Sequence, residues 1–270
     1  MSSTAGQVED RNVSIGRVLS RAFATMGGNP LTVFGISFVL GALPRVALNY
    51  SGQLLGYSQQ NYLTGAITPL LFFSIAAAMT LFSIFTSMLT QGALVRATIA
   101  HSEGREASFG ESALAGLRVV LPLFALGILF SLGLLLGFVL LIIPAIFLYL
   151  MWAVAAPALV EERTGIFGAF KRSSYLTKGA RWKILGLGLV MALIYWIFAA
   201  VIATTLVLIF GVQDMAASLQ HGLPIAWLLV SGILATILTA ILTTIQTSLY
   251  VELRNWKDGP ASEKLADIFG

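Results

Sequence analysis

The chain has 270 residues, 57% of them hydrophobic and only 10% charged, with 16 Lys and Arg against 12 Asp and Glu for a formal charge of +4. Soluble domains carry roughly 25% charged residues, so this composition, with a mean hydropathy of +0.89, excludes a water-soluble globule and points to an integral membrane protein. The cations sit between apolar runs, where membrane insertion places them, which argues against a nucleic-acid surface. Without cysteine there is no disulfide, thiolate metal site or cysteine nucleophile.

Residues 1–28 hold no continuous apolar run of the kind a cleavable signal peptide needs, and are expected to form an N-terminal segment with a surface helix. Within it VSIGRVLSRAFATM places Ile15, Val18, Leu19, Ala22, Phe23 and Met26 on one stripe, with Arg17 and Arg21 off it, the pattern of an amphipathic helix. A membrane domain over 29–250 follows, with six expected spans at about 30–50, 69–95, 121–141, 144–160, 184–209 and 224–250, and a tail over 251–270 that is expected to be loose. Asn29 and Pro30 read as a helix start for the first span. The apolar block from Leu121 to Val160 is too long for one crossing and is expected to fold back near Ile142, Ile143 and Pro144. GVQDMAASLQHG, between the last two spans, reads as a short polar loop.

The runs are continuously apolar, so the spans are helical rather than barrel strands and the fold is all-α and polytopic. ASFGESALAGLRVV, with Phe109, Ala113, Leu117 and Val120, repeats the amphipathic pattern before the third span. A weaker version, with Ile166, Phe167 and Phe170, precedes the fifth. Such helices tend to lie in the headgroup plane. Matches at Ser14-Ile15-Gly16, Ser108-Phe109-Gly110 and Ile166-Phe167-Gly168 suggest three repeated units, each a surface helix followed by a helical hairpin.

With both termini on the cytoplasmic side, every Lys and Arg except Arg45 falls on that side, six of them between Glu161 and Lys183. That asymmetry predicts a multi-pass protein of the bacterial inner membrane with cytoplasmic termini and anionic lipid headgroups of that leaflet as partners.

PALVEERTGIFGAFKRSSYLTKGARWKILGLGL resembles the membrane domain of glycerophosphoryl diester phosphodiesterases and related uncharacterised six-helix proteins. The matching positions are Pro157, Glu161, Ala169, Arg172, Ser173, Leu176, Thr177, Gly179 and Trp182. SLYVELRNWKDG, through Tyr250 and Arg254, is similar to the family's last-span ending, and SIGRVLSRAF to its opening helix. The resemblance implies a membrane module without the soluble, metal-binding catalytic barrel, for which no segment remains.

No catalytic residue, cofactor or metal site is expected. His101 and His221 fall on opposite sides of the membrane in this topology, and no metal-protease, phosphate-loop or hydrolase spacing occurs. Gly133 and Gly137 read as close helix packing. Arg45, near the far end of the first span, is expected to snorkel to the interface or to line an outer vestibule with Asp214.

Two polar sets stand out. Glu161, Glu162, Arg163, Lys171, Arg172, Ser173, Thr177, Lys178, Trp182, Glu252 and Arg254 could form an ionic collar tying surface helices to span ends. Part of that set, Arg172, Ser173, Thr177 and Lys178, could instead hold a phosphate or anionic headgroup. Thr80, Ser83, Ser87, Thr90 and Gln91 on the second span and Thr236, Thr239, Thr243, Gln246 and Thr247 on the sixth form hydroxyl stripes. They could bond between helices or line a wetted cavity. Two functions follow as expectations: a non-catalytic module that organises lipid or docks a protein partner through its basic cytoplasmic face, or a transporter or lipid-moving protein using the space between the second and sixth spans.

Overall fold

The computed structural model describes residues 13–221 and 225–259, and every regular element among them is helical. The first helix, α1 (Ile15–Gly28), ends at Asn29, whose N–H returns to the Thr25 carbonyl at 3.1 Å. Asn29 also opens α2 (Pro30–Ile36), with Pro30 in the first turn, where no N–H is needed. A π-helical turn, Ser37–Ala42, leads into α3 (Leu43–Leu54). Pro44 in the first turn of α3 has no N–H to donate, so one carbonyl of the preceding π turn loses its backbone partner.

Beyond a short α4 (Gln59–Leu63), α5 (Pro69–Ser102) and α6 (Phe109–Leu140) start at side-chain caps, Thr68 accepting from the Leu71 N–H and Ser108 from the Glu111 N–H. The chain folds back at Leu141, one residue before the expected point, in extended backbone (φ 176°, ψ 158°). It returns as α7 (Ile142–Met151) and α8 (Ala155–Glu162). The surface helix α9 (Gly165–Thr177), the long α10 (Arg181–His221) and α11 (Ile225–Asp258) complete the fold.

Six segments are long and apolar enough to cross a membrane: Pro30–Leu54, Pro69–Ser102, Phe109–Leu140, Ile142–Glu162, Arg181–Ile209 and Ile225–Asp258. Several outrun the hydrocarbon: 34 residues of α5 make ~51 Å of helix against a ~30 Å apolar core.

Three expectations are corrected. The surface helix before the third span is not separate, because nothing between Val120 and Leu121 breaks it and α6 runs unbroken through Pro122. The supposed loop GVQDMAASLQHG is helical through His221 after a break at Gly211 (φ 75°), its Ala, Met, Leu and Gln being good helix formers. The start of the tail is no loose end, since α11 continues to Asp258. Residues 1–12, Gly222, Leu223, Pro224 and 260–270, with the SEKLADIF portion of the tail, lie outside the described residues.

Close packing gathers at one end of the bundle. There Gly92 of α5 meets Gly116 of α6 so tightly that a Cβ on Gly116 would lie 2.5 Å from the Leu89 carbonyl oxygen. Val18 and Ala22 of α1, Ile99 of α5, Leu159 of α8, Leu176 of α9, and Tyr250 and Leu253 of α11 share one buried core. The apolar stripe of α1 is thus largely covered by protein, and of its residues Phe23 is exposed. Gly133 lies under the Trp152 ring and Gly137 against the Ala145 backbone, the contacts expected of small residues in a helical hairpin. Toward the opposite end the large side chains face outward, among them Leu54, Leu70, Phe138, Ile143 and Leu208. In a membrane these are lipid contacts.

Candidate functional sites

At the packed end, charged residues form a connected network. Glu162, ending α8, accepts from Arg172 Nε of α9 at 2.7 Å and from the Tyr250 hydroxyl of α11 at 2.8 Å. The Arg172 guanidinium also pairs through both terminal nitrogens with Asp258, at the end of α11. Hydrogen bonding to Asp258 is the main cause that holds the Arg172 pKa above its ordinary value, and Glu162 adds to it against the opposing effect of burial. One arginine therefore ties together α8, α9 and α11. Glu161 lies 3.7 Å from both Arg96 of α5 and Arg254 of α11, and Arg96 also reaches Glu111 at 3.2 Å.

Glu252 is paired elsewhere than with its chain neighbours. Only 5% exposed, it takes Arg17 Nε at 2.8 Å and Arg21 at 3.4 Å, both from α1. This pins the N-terminal helix to the last span. The sequence set lacked Asp258, Arg17, Arg21, Arg96 and Glu103 as members of this network, since ion pairs between segments far apart in sequence leave no local pattern. Ser173 and Thr177 are fully buried and both donate to the Met151 carbonyl, at 3.0 and 3.2 Å, so their hydroxyls point into the bundle. Arg163 caps α8 in the left-handed conformation (φ 51°), and Lys171 and Lys178 are exposed, without an ion pair to a described residue. Trp182 is 85% exposed.

The hydroxyl stripes flank open space. A cavity of about 450 Å³ lies between the first, second and sixth spans, with Ile202 of the fifth at its edge. Ser87, Thr90 and Gln91 of α5 and Thr236, Thr239 and Thr243 of α11 line it, joined by Arg45 and Asn49 of α3 and Ser37 and Gly41 of the π turn. Thr80 and Ser83 instead line a shallower groove of about 440 Å³ that shares Asn49, Ser87 and Met88 with the cavity. Gln246 donates to the Ala153 carbonyl at 2.9 Å and borders a smaller space of about 150 Å³. Thr247 is buried and donates to the Thr243 carbonyl.

Several of the hydroxyls bond back to their own helix. Thr80 donates to Ala76, Ser87 to Ser83, Thr90 to Thr86 and Thr236 to Gly232, each to the carbonyl four residues earlier. The Gln91 amide and the hydroxyls of Thr239 and Thr243 make no hydrogen bond to a described residue. Arg45 is exposed on α3. Its Nη2 donates sideways to Ser87 Oγ at 2.9 Å. Ser87 is eighteen residues from Pro69 and fifteen from Ser102, hence ~27 Å and ~22 Å from the two ends of α5. The guanidinium therefore lies beside the middle of α5. Asp214, its suggested partner, and His221 have side chains outside the described set. No group of three or more His, Cys, Asp or Glu able to hold a metal occurs among the described residues.

Six long apolar helices, charge gathered at one end and polar side chains converging between spans define an all-α, multi-pass membrane protein. A family model described as a domain of unknown function, DUF7847, matches residues 107–253, more than half of the chain, and the protein belongs to that family. No curated protein and no solved structure matches the chain.

Proposed function

We propose that the protein is a non-catalytic membrane module that takes an amphipathic molecule into the space between its second and sixth spans, above a rigid, ion-paired base. The observation carrying this reading is the cavity of about 450 Å³ lined by Arg45, whose guanidinium makes one side-chain hydrogen bond, and by Gln91, Thr239 and Thr243, whose side chains make none to a described residue, a volume within the usual ~300–1,000 Å³ of ligand sites. Hydrogen-bonding groups facing an empty apolar-walled space inside a bilayer are costly unless something polar meets them. Native mass spectrometry of protein released from lipid nanodiscs tests the reading. Wild type is expected to retain one or two lipid-sized molecules, and Thr239→Phe or Ala235→Phe, which fill the cavity, to lose them. Equal retention by the filled variants rejects the proposal.

A second reading concerns the exposed cations and aromatics beside the base. Lys171, Lys178 and Lys183 form no ion pair with a described residue, and Phe167 and Trp182 stand out beside them. Basic and aromatic side chains of this kind suit an anionic membrane surface or an acidic partner. The positive-inside bias supports a bacterial inner membrane with this end in the cytoplasm. Labelling of Lys178→Cys but not Tyr57→Cys by an impermeant reagent outside intact cells would invert that orientation.

A further inference from the structure

We infer that Arg45 is the anion-recognition residue of the cavity and that the molecule bound there is an anionic glycerophospholipid, its headgroup phosphate on the guanidinium. The inference rests on the cavity reading and narrows it to one chemistry. An arginine on a membrane-spanning segment is costly unless its charge is met, and none of the described residues lining the cavity is an Asp or Glu. Its one side-chain hydrogen bond, to Ser87, leaves most of its five N–H groups free for an incoming acceptor.

Local backbone supports the placement. The π turn Ser37–Ala42 and the missing N–H of Pro44 loosen the helix one turn before Arg45, and interruptions of this kind are frequent at functional sites. Asn49 braces the opposite side by donating to the Arg45 carbonyl at 2.8 Å. The Gln91 amide and the Thr239 and Thr243 hydroxyls line the same cavity and can add N–H and O–H donors to phosphate oxygens held by the guanidinium. The adjoining groove carries Leu48, Met79, Ile84 and Met88 among its hydroxyls, apolar contacts for the glycerol-proximal part of an acyl chain beside the headgroup. A single cation in the lining matches the single charge of a phosphodiester lacking a compensating amine.

The full chain in nanodiscs of equal phosphatidylglycerol and phosphatidylcholine provides the test, with retained lipid identified by native mass spectrometry. Wild type is expected to enrich phosphatidylglycerol about tenfold, the order of one charge-assisted contact. Arg45→Gln should bring the ratio near one while lipid is still retained, and Arg45→Lys should keep part of it. As a measurement independent of any variant's folding, phosphatidylglycerol should protect Arg45 of the wild type from phenylglyoxal several-fold better than phosphatidylcholine does. An unaltered ratio in Arg45→Gln, a wild-type ratio near one, or equal modification of Arg45 in both lipids overturns the inference. Loss of lipid in Thr239→Phe alongside any of these keeps the cavity reading and removes only the anion; lipid retained by Thr239→Phe removes both.

Discussion

The two ends of this bundle solve the same problem, holding six helices together without water's help, in opposite ways. At the collar end Gly92 and Gly116 bring two backbones into contact, Arg172 spans three helices and Glu252 anchors a fourth. At the other end the helices carry Leu, Ile and Phe that face outward, and the space between them stays open around Arg45. Because lipid tails are as apolar as leucine, burying leucine gains little there, and only close backbone approach or polar pairing binds helices firmly. In this bundle the tightest packing coincides with paired charge, while the open space lies where the helices turn large apolar side chains outward.

The sharpest way to break that contrast is to force the collar end apart. In Gly116→Ala the new Cβ would meet the Leu89 carbonyl oxygen at 2.5 Å and the Ala93 nitrogen at 2.8 Å, both backbone atoms that cannot swing aside. We expect a loss of about 3 kcal/mol, seen as a markedly lower Tm in detergent. Next in size is Arg172→Ala, which leaves Glu162 and Asp258 without their shared cation. A loss of about 2 kcal/mol is expected, moderated by partial exposure of the cluster. Arg172→Lys should recover only part of it, since an ammonium cannot reproduce the two-nitrogen contact to Asp258. A Tm unchanged by either substitution would mean that the network is ornamental.

The spans and the segregation of charge were legible because they are written in runs of one residue type. Six of the ten hydroxyl-stripe residues, among them Ser87, Thr90 and Thr239, line one cavity, since helical spacing alone placed them on one face. Partners were less legible. Glu252 reads as a neighbour of Arg254, yet tertiary packing gives it to Arg17 and Arg21, more than two hundred residues away. Asp258 looked like tail because nothing local shows that a last-span helix will continue past the interface to meet Arg172. The π turn escaped notice as well, although Pro44 beside an intramembrane arginine was a signal for irregular backbone.

A smaller effect sharpens the comparison through pH. Burial acts to raise the Glu103 pKa, but hydrogen bonds and charge from Arg105, with help from Arg254, outweigh it and hold the carboxylate below its ordinary 4.5. A carboxylate depressed in the folded state adds stability above the unfolded value and loses it as pH falls through the folded one. The Tm gap between wild type and Glu103→Gln should therefore be present at neutral pH and close as pH falls below the ordinary 4.5 and through the lower folded value, and with Glu103 partly exposed it should stay under about 1 kcal/mol. A gap that persisted at lower pH would assign Glu103 a packing role instead.

The smallest expected effect probes the lipid-facing side of a single helix near the packed end. On α10, a Cβ at Gly186 would come 3.3 Å from the Ile15 Cδ1 of α1, whereas one at Gly188 would meet nothing within 4 Å. Gly188→Ala therefore adds a methyl group to lipid-facing space and removes a flexible backbone position, a change of at most about 1 kcal/mol in the stabilising direction. Gly186→Ala should be near neutral, because the flexible tip of Ile15 can move by the few tenths of an ångström required. If Gly188→Ala instead lowered Tm as far as Gly116→Ala does, that face of α10 would have to be packed against a second protein surface, an interface rather than a lipid boundary.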